Sequence, residues 1–288
     1  MAHALRYVSK LQGRRLLVLG GSSGIGFSVA EAALEHGADV IISSSNEAKL
    51  RKAVDRLRTG IVNPAIPPGS GPGSAGQSSG SGALGEESPR ISSVTCDLAN
   101  AATLEENLAS ALESATAGRT RLLDHVVFTA GAPLKIVKVP DVTVQAVQDT
   151  NFVRVVAPII LAKLLPLYTH QSAASSLTLT SGVTTYRPTP GWALLVSAGA
   201  AVEGLARGLA VDLKPLRVNV VSPGAVHTEL FADIPDERLQ SVLDTFKTNS
   251  LTDTVGTPGE LAEAYIYCMK NTFATGSVIV ADGGRLLV

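Results

Sequence analysis

The sequence predicts an α/β fold, a doubly wound parallel sheet of about seven strands with helices on both faces. Three observations predict it. Short runs rich in Val, Ile and Leu alternate with helix-periodic segments, as in a parallel sheet covered on both sides. A glycine-rich turn joins the first run to the first helix. The chain has 288 residues, 45% of them hydrophobic and 17% charged, which suits one domain over residues 1–288 with a single large core.

The elements follow in order. "RRLLVLG" reads as the first strand, and a helix runs from about Gly24 to His36. "ADVIISS" is the second strand, followed by the helix "NEAKLRKAVDRLR" with Leu50, Val54 and Leu57 on its apolar face. "ISSVTCD" and "LDHVVFTAG" are further strands with a helix between them, and "SSLTLTSG", "RVNVVSPG" and "GSVIVADGG" complete the set. Residues 59–90 break this rhythm: their Gly, Ser and Pro cannot bury enough apolar surface to offset ordering entropy, so they read as a flexible insertion.

Composition excludes several classes. A net charge of −1 offers no electrostatic reason for a nucleic-acid or anionic-membrane partner. Two cysteines far apart suggest no disulfide framework and a reducing, cytoplasmic location. The five histidines form no cluster at ligand spacing, so no metal is expected. "FVRVVAPIILAKLLPLY" carries Arg154, Lys163 and two prolines and reads as a buried amphipathic helix rather than a membrane span.

The turn "VLGGSSGIG" opens a helix directly after a strand. Gly20, Gly24 and Gly26 allow a tight turn and close approach to a pyrophosphate, and Ser22, Ser23 and Ile25 complete the loop whose N–H groups would face it. "CDL" at Asp97, "TAG" at Thr129–Gly131, Asn151 and "SPGAVHTEL" then follow in order. With these motifs the chain resembles the short-chain dehydrogenase/reductases, Rossmann-like enzymes, over nearly its whole length outside the insertion. The resemblance implies that Asp97 bonds the adenine, and that Thr129, Ala130 and Gly131 line the cofactor. It implies that Asn151 holds a helix and a water near the active site, and that Pro223, Gly224, Val226 and Thr228 pack on the nicotinamide and its phosphate. Leu19 stands where the family prefers threonine, one supporting hydrogen bond fewer.

The second strand ends in "SSSN" with no carboxylate to repel a 2′-phosphate. Ser44, Ser45 and Asn46 therefore point to NADP(H) over NAD(H), with Arg14, Arg15 or Lys49 as sources of positive charge. A serine-rich start to the next helix, capped by Asn46, fits either cofactor.

In the family a tyrosine donates a proton to the substrate oxygen, a lysine four residues on assists it, and a serine orients the carbonyl. Ser181 matches the serine, but "AAVEGLARGLAVDL" sets Leu195 at the tyrosine and Gly199 at the lysine, and neither residue type occurs between Tyr186 and Lys214. Three readings follow. The acceptor arrives as a cation such as an iminium, so no acid is needed. Tyr186, Arg154 or His227 supplies the proton. Or redox chemistry is lost and the fold is a non-redox cyclase or isomerase, or an NADP(H)-sensing protein. Trp192 could stack on an aromatic or cationic substrate, or simply fill the core. Arg154, among Phe152, Val155 and Val156, needs a partner.

Within the family the chain resembles a fungal branch lacking the Tyr–Lys pair, the iminium reductase/Diels–Alderases of prenylated indole alkaloid pathways such as those to malbrancheamide and paraherquamide. The resemblance assigns Arg154 and Trp192 to the substrate pocket. Thr189 stands where those enzymes carry an aspartate and "GAPLK" where they carry a Pro-Pro-Asp turn, departures that speak against an intact Diels–Alder activity but not against NADPH binding. The expectation is an NADPH-dependent oxidoreductase of secondary metabolism with catalytic candidates Ser181, Arg154, Trp192 and Tyr186, a small-molecule substrate, and a homodimer or tetramer packed through the helices at 151–167 and 192–213.

Overall fold

The computed structural model describes residues 6–62, 90–131, 133, 136–231 and 235–288. Seven parallel strands form one sheet in the order β3-β2-β1-β4-β5-β6-β7. They are β1 (Arg15–Leu19), β2 (Asp39–Ser44), β3 (Ile91–Thr95), β4 (His125–Phe128), β5 (Ser176–Thr180), β6 (Arg217–Pro223) and β7 (Val278–Ala281). The order reverses between β1 and β4, so the crossovers part there and leave a crevice at the carboxyl ends of the strands.

The inner strands bury both faces, which explains their unbroken apolar runs, while the edge strands β3 and β7 are partly exposed. In β1, Leu16 and Val18 join a core with Phe27, Val29, Ile42, Tyr265 and Ile266, while Leu17 and Leu19 join the opposite core with Ile41, Leu108, Val126, Phe128 and Leu161. Four side chains in that one strand are at most 1% exposed, each worth about 1.5–3 kcal/mol of burial. Against the first core pack α1 (Gly24–Glu35), α2 (Glu47–Val62) and, later in the chain, α8 (Pro258–Lys270); α3 (Leu104–Ala115) packs on the second. Leu50, Val54 and Leu57 are buried, as the α2 periodicity requires. α2 continues through Val62, beyond the helix end at Arg58 that the sequence suggests; of the expected insertion at 59–90, residues 63–89 lie outside the described residues.

A long helical stretch covers the second face. α4 (Val144–Asn151) passes into a π turn at Phe152–Val156, then α5 (Ala157–Leu164) and a 3-10 turn at Leu165–Leu167. Pro158 has no N–H for the carbonyl of Arg154. The ladder widens there, with the Ala157 N–H donating to the Phe152 carbonyl five residues back. α6 (Ala193–Asp212) lies alongside, and α7 (Asp236–Thr248) follows β6. The Val144–Leu167 stretch and α6 are long and apolar enough to cross a membrane by length and composition. Here Ala157, Leu161, Val202 and Ala206 are buried in the second core, while Ile159, Leu167 and Val211 face outward.

Candidate active site

The first loop is built by backbone contact. Gly20 has φ +91, a conformation that favours glycine, and a Cβ there would lie 2.6 Å from the Ala130 amide nitrogen. A Cβ at Gly26 would overlap the Gly20 carbonyl and the Thr129 hydroxyl. The N–H groups of Gly20 and Gly21 donate to the Ser43 carbonyl at 2.9 and 3.1 Å. The Leu19 carbonyl accepts from the amides of Thr129 and Ala130 at 2.9 and 3.0 Å and from the Thr129 hydroxyl at 3.2 Å. The hydroxyl missing at Leu19 thus has a counterpart across the join. α1 begins beyond this turn, with Ser22 half-buried and Ser23 exposed at its N-cap, making no side-chain capping bond. Gly24 and Ile25 follow in the first turn, where free N–H groups and the positive dipole end lie.

At the neighbouring strand ends, Ser44 is half-buried while Ser45, Asn46 and Asp97 are exposed. Asn46 caps α2: its Oδ1 accepts from the Lys49 amide at 2.9 Å, and its own amide donates to the Ser44 hydroxyl at 3.3 Å. Asp97 Oδ1 accepts from the Ala99 amide at 2.9 Å. Arg14 and Arg15, considered above as sources of charge for a phosphate, lie at the opposite, amino end of β1. There Arg14 pairs with Asp124 at 2.8 Å and Arg15 donates to the Ala115 carbonyl at 2.7 and 3.0 Å. Held at the amino end of β1, neither can reach its carboxyl end, so neither serves this edge.

The loop after β6 closes over the same edge. Gly224 packs so tightly that a Cβ would lie 2.7 Å from Asp282 Cα, and its amide donates to the Ala281 carbonyl at 2.9 Å. Pro223 ends β6, and Val226 is buried and bridges to Gly256. A Cβ at Gly24 would come within 3.4 Å of Thr228 and of Glu229 Oε2, so this loop meets the start of α1. His227 is exposed and lines a cleft of about 410 Å³ with Phe27, Ser28 and Arg56.

The candidate catalytic groups lie on the segments that follow β4 and β5. Asn151 donates through Nδ2 to the Val147 carbonyl at 2.8 Å, and the π turn begins just after it. That widened turn carries Arg154, whose Nη1 would lie 2.8 Å from a Cβ at Gly131; the half-buried guanidinium therefore rests on the backbone at the end of β4. Burial pushes its pKa down. Trp192 is half-buried at the N-cap of α6, and Gly191 before it (φ +85) packs on Ile136 of the loop after β4.

Ser181 ends the β5 segment and donates to Glu203 Oε1 at 2.9 Å. Tyr186 donates through its hydroxyl to the other oxygen, Oε2. Glu203 lies on α6 and is 4% exposed. The carboxylate bond, then burial, raise the Tyr186 phenol pKa, making it a weaker acid. Leu195 is buried, and a Cβ at Gly199 would overlap Thr185 Oγ1 and approach Ser181 Oγ to 3.2 Å. The backbone of α6 thus sits directly on the turn that follows β5, filling the space where a side chain at 199 would start. Glu203 was missed from the sequence, although it carries the signal that singled out Arg154, one charge among apolar neighbours; here Val202 and Ala206 are buried. Among the described residues no group of three or more His, Cys, Asp or Glu could hold a metal ion.

Comparison with known proteins fits this geometry. A family model described as an SDR-like Rossmann domain matches residues 7–66 and 74–288. The short-chain dehydrogenase/reductase malC of Malbranchea aurantiaca is 40% identical over 287 residues, all of both chains. The short-chain dehydrogenase/reductase ucsE of an Acremonium species is 36% identical over 99% of both chains. A solved structure described as the MalC reductase/Diels–Alderase from Malbranchea aurantiaca superposes with a TM-score of 0.84 at 39% identity, covering 98% of this chain and 100% of that one.

Proposed function

Because the chain belongs to the short-chain dehydrogenase/reductase family, we propose that it is an NADPH-dependent reductase of fungal secondary metabolism acting on an iminium or another activated double bond. The observation that carries this reading is the closed position at Gly199 beside buried Leu195. A fold with the glycine turn of a dinucleotide edge thus carries no phenol at 195 and no ammonium at 199, and any side chain at 199 would first crowd the Thr185 hydroxyl.

The residues present fit a nicotinamide dinucleotide. The cradle of Gly20, Gly24 and Gly26 leaves backbone N–H groups at the start of α1, a place that favours a pyrophosphate. Ser44, Ser45 and Asn46 at the end of β2 bring no carboxylate against a 2′-phosphate. The bound cofactor supplies hydride. Ser181, Arg154 and Trp192 bind and orient the acceptor, and the tight contact of α6 with the turn after β5 keeps water out behind Ser181. A ketone would need a proton as its oxygen gains charge, and the phenol of Tyr186 is held by Glu203. An iminium becomes a neutral amine without one.

The test is NADPH oxidation by the purified protein with a cyclic iminium and a ketone of similar size. The iminium should be reduced and the ketone turned over about 10²- to 10⁴-fold more slowly, the range that general acid catalysis supplies. Equal rates, or no NADPH binding, would overturn the reading. The relative described as a reductase/Diels–Alderase supports an extension to an associated cyclisation, and the sequence resemblance extends it to an indole alkaloid pathway. A product of changed shape formed while NADPH is bound but not consumed would instead favour a non-redox cyclase.

A further inference from the structure

Glu203 is the buried charged group beside Ser181, and its surroundings are specific. Its two oxygens accept from different hydroxyls, Ser181 Oγ at 2.9 Å and Tyr186 OH. An ionised carboxylate is acceptor-only, so both donors suit the charged form. None of the ion pairs among the described residues involves it. Arg207, four residues on along α6, is exposed. Ser181 Oγ also lies 3.3 Å from the Gly199 carbonyl and 3.4 Å from the Thr185 hydroxyl, so its hydrogen-bond partners among the described residues include no cation. A carboxylate with 4% exposure is little screened by solvent, and its field reaches the cleft through Ser181. Arg154, the other charged candidate, rests on the backbone at Gly131 after β4.

We infer that Glu203 is the charge-selecting residue of this site: through Ser181 it draws the cationic end of the acceptor to the β5 side of the cleft, and it opposes the build-up of an oxyanion there. Glu203 acts through Ser181 and is a positioning residue rather than a catalytic one. The inference deepens the reductase reading and rests on it for the identity of the cleft.

The experiment measures binding rather than turnover. Calorimetry compares N-methyl-dihydroisoquinolinium, a fixed cation, with its neutral carbon isostere methyl-dihydronaphthalene, with and without NADP⁺. The wild-type protein should prefer the cation by about tenfold or more, the scale of unit charges several ångströms apart at the effective dielectric of a partly buried site. Glu203→Gln keeps the shape and removes the charge. It should abolish that preference by weakening the cation alone, with the neutral ligand and NADPH bound as before. An unchanged ratio, or equal losses for both ligands, overturns the inference and leaves Glu203 a packing residue. If Glu203→Gln does not fold, the wild-type ratio decides: equal affinity for the two ligands overturns it. No hydride transfer is read, so failure here leaves the NADPH assay untouched, and failure of that assay leaves this measurement interpretable.

Discussion

At Gly199 a single methyl group would alter the site, because the added carbon would overlap the Thr185 hydroxyl and approach Ser181 Oγ to 3.2 Å. Gly259, in the first turn of α8, has nothing within 4 Å of a built Cβ. Replacing a helical glycine by alanine ordinarily gains about 0.5–1 kcal/mol. Gly259→Ala should show that gain in urea denaturation, while Gly199→Ala should show none or a loss, and Thr185→Ala should restore it in the double variant. Ser45 offers a second residue-scale prediction. Ser45→Asp puts a carboxylate beside Ser44 at the end of β2, and the ratio of NADPH to NADH affinity should fall at least about tenfold through repulsion of the 2′-phosphate; an unchanged ratio would displace the phosphate from this edge. The glycine turn was legible as residues because only backbone can pass so close to backbone. Glu203 was not, because its partners Ser181 and Tyr186 come from another element.

At the scale of elements, Arg217 ties β6 to α8. Its guanidinium, on a residue 3% exposed, donates to the carbonyls of Ala173, Cys268, Met269 and Ala274 at 2.6–3.2 Å. Cys268 and Met269 lie in the last turn of α8, where carbonyls lack helical partners and a cation meets the negative dipole end. Arg217→Met keeps much of the bulk and strands those acceptors, so it should cost about 3 kcal/mol or more in chemical denaturation. A loss within about 0.5 kcal/mol would mean water replaces the guanidinium freely. The strands themselves were readable from their apolar runs. The two edge strands are the exceptions in burial: Ser92, Ser93 and Thr95 of β3 and Val280 of β7 are exposed. Likewise α2 extends to Val62, since the helix end suggested at Arg58 rested on composition while helical hydrogen bonding runs on regardless.

For the whole molecule, acid should be destabilising through His125. The ring is 2% exposed, Nδ1 lies 2.9 Å from Ser176 Oγ, and burial lowers the pKa to about 3. The unfolded value is about 6.5. The unfolded chain therefore binds the extra proton between these two values. This contribution is complete above about pH 6.5 and declines as the pH falls toward 3, so about 2 kcal/mol should be lost between pH 7 and 5. His125→Gln should flatten that part of the profile in thermal melts, and an unaltered slope would assign the effect elsewhere. The outward apolar face of the α4–α5 stretch and α6, with Ile159 44%, Leu167 58% and Val211 69% exposed, should pack against a second copy. Sedimentation should give a dimer or tetramer, and Ile159→Asp with Val211→Asp should reduce it to monomer. A monomeric wild-type protein would refute this.

The order of strands and helices, the glycine cradle and the lack of any Tyr or Lys between Tyr186 and Lys214 could be read from the chain alone. Each depends on local spacing: apolar period, turn chemistry, and distance from a recognisable motif. Only the folded structure decided that Arg154 rests on Gly131, that the α6 backbone closes on Thr185, and that Glu203 joins Ser181 to Tyr186. Those contacts link residues on different elements, and their existence depends on how the helices seat on the sheet, a geometry that no local periodicity encodes.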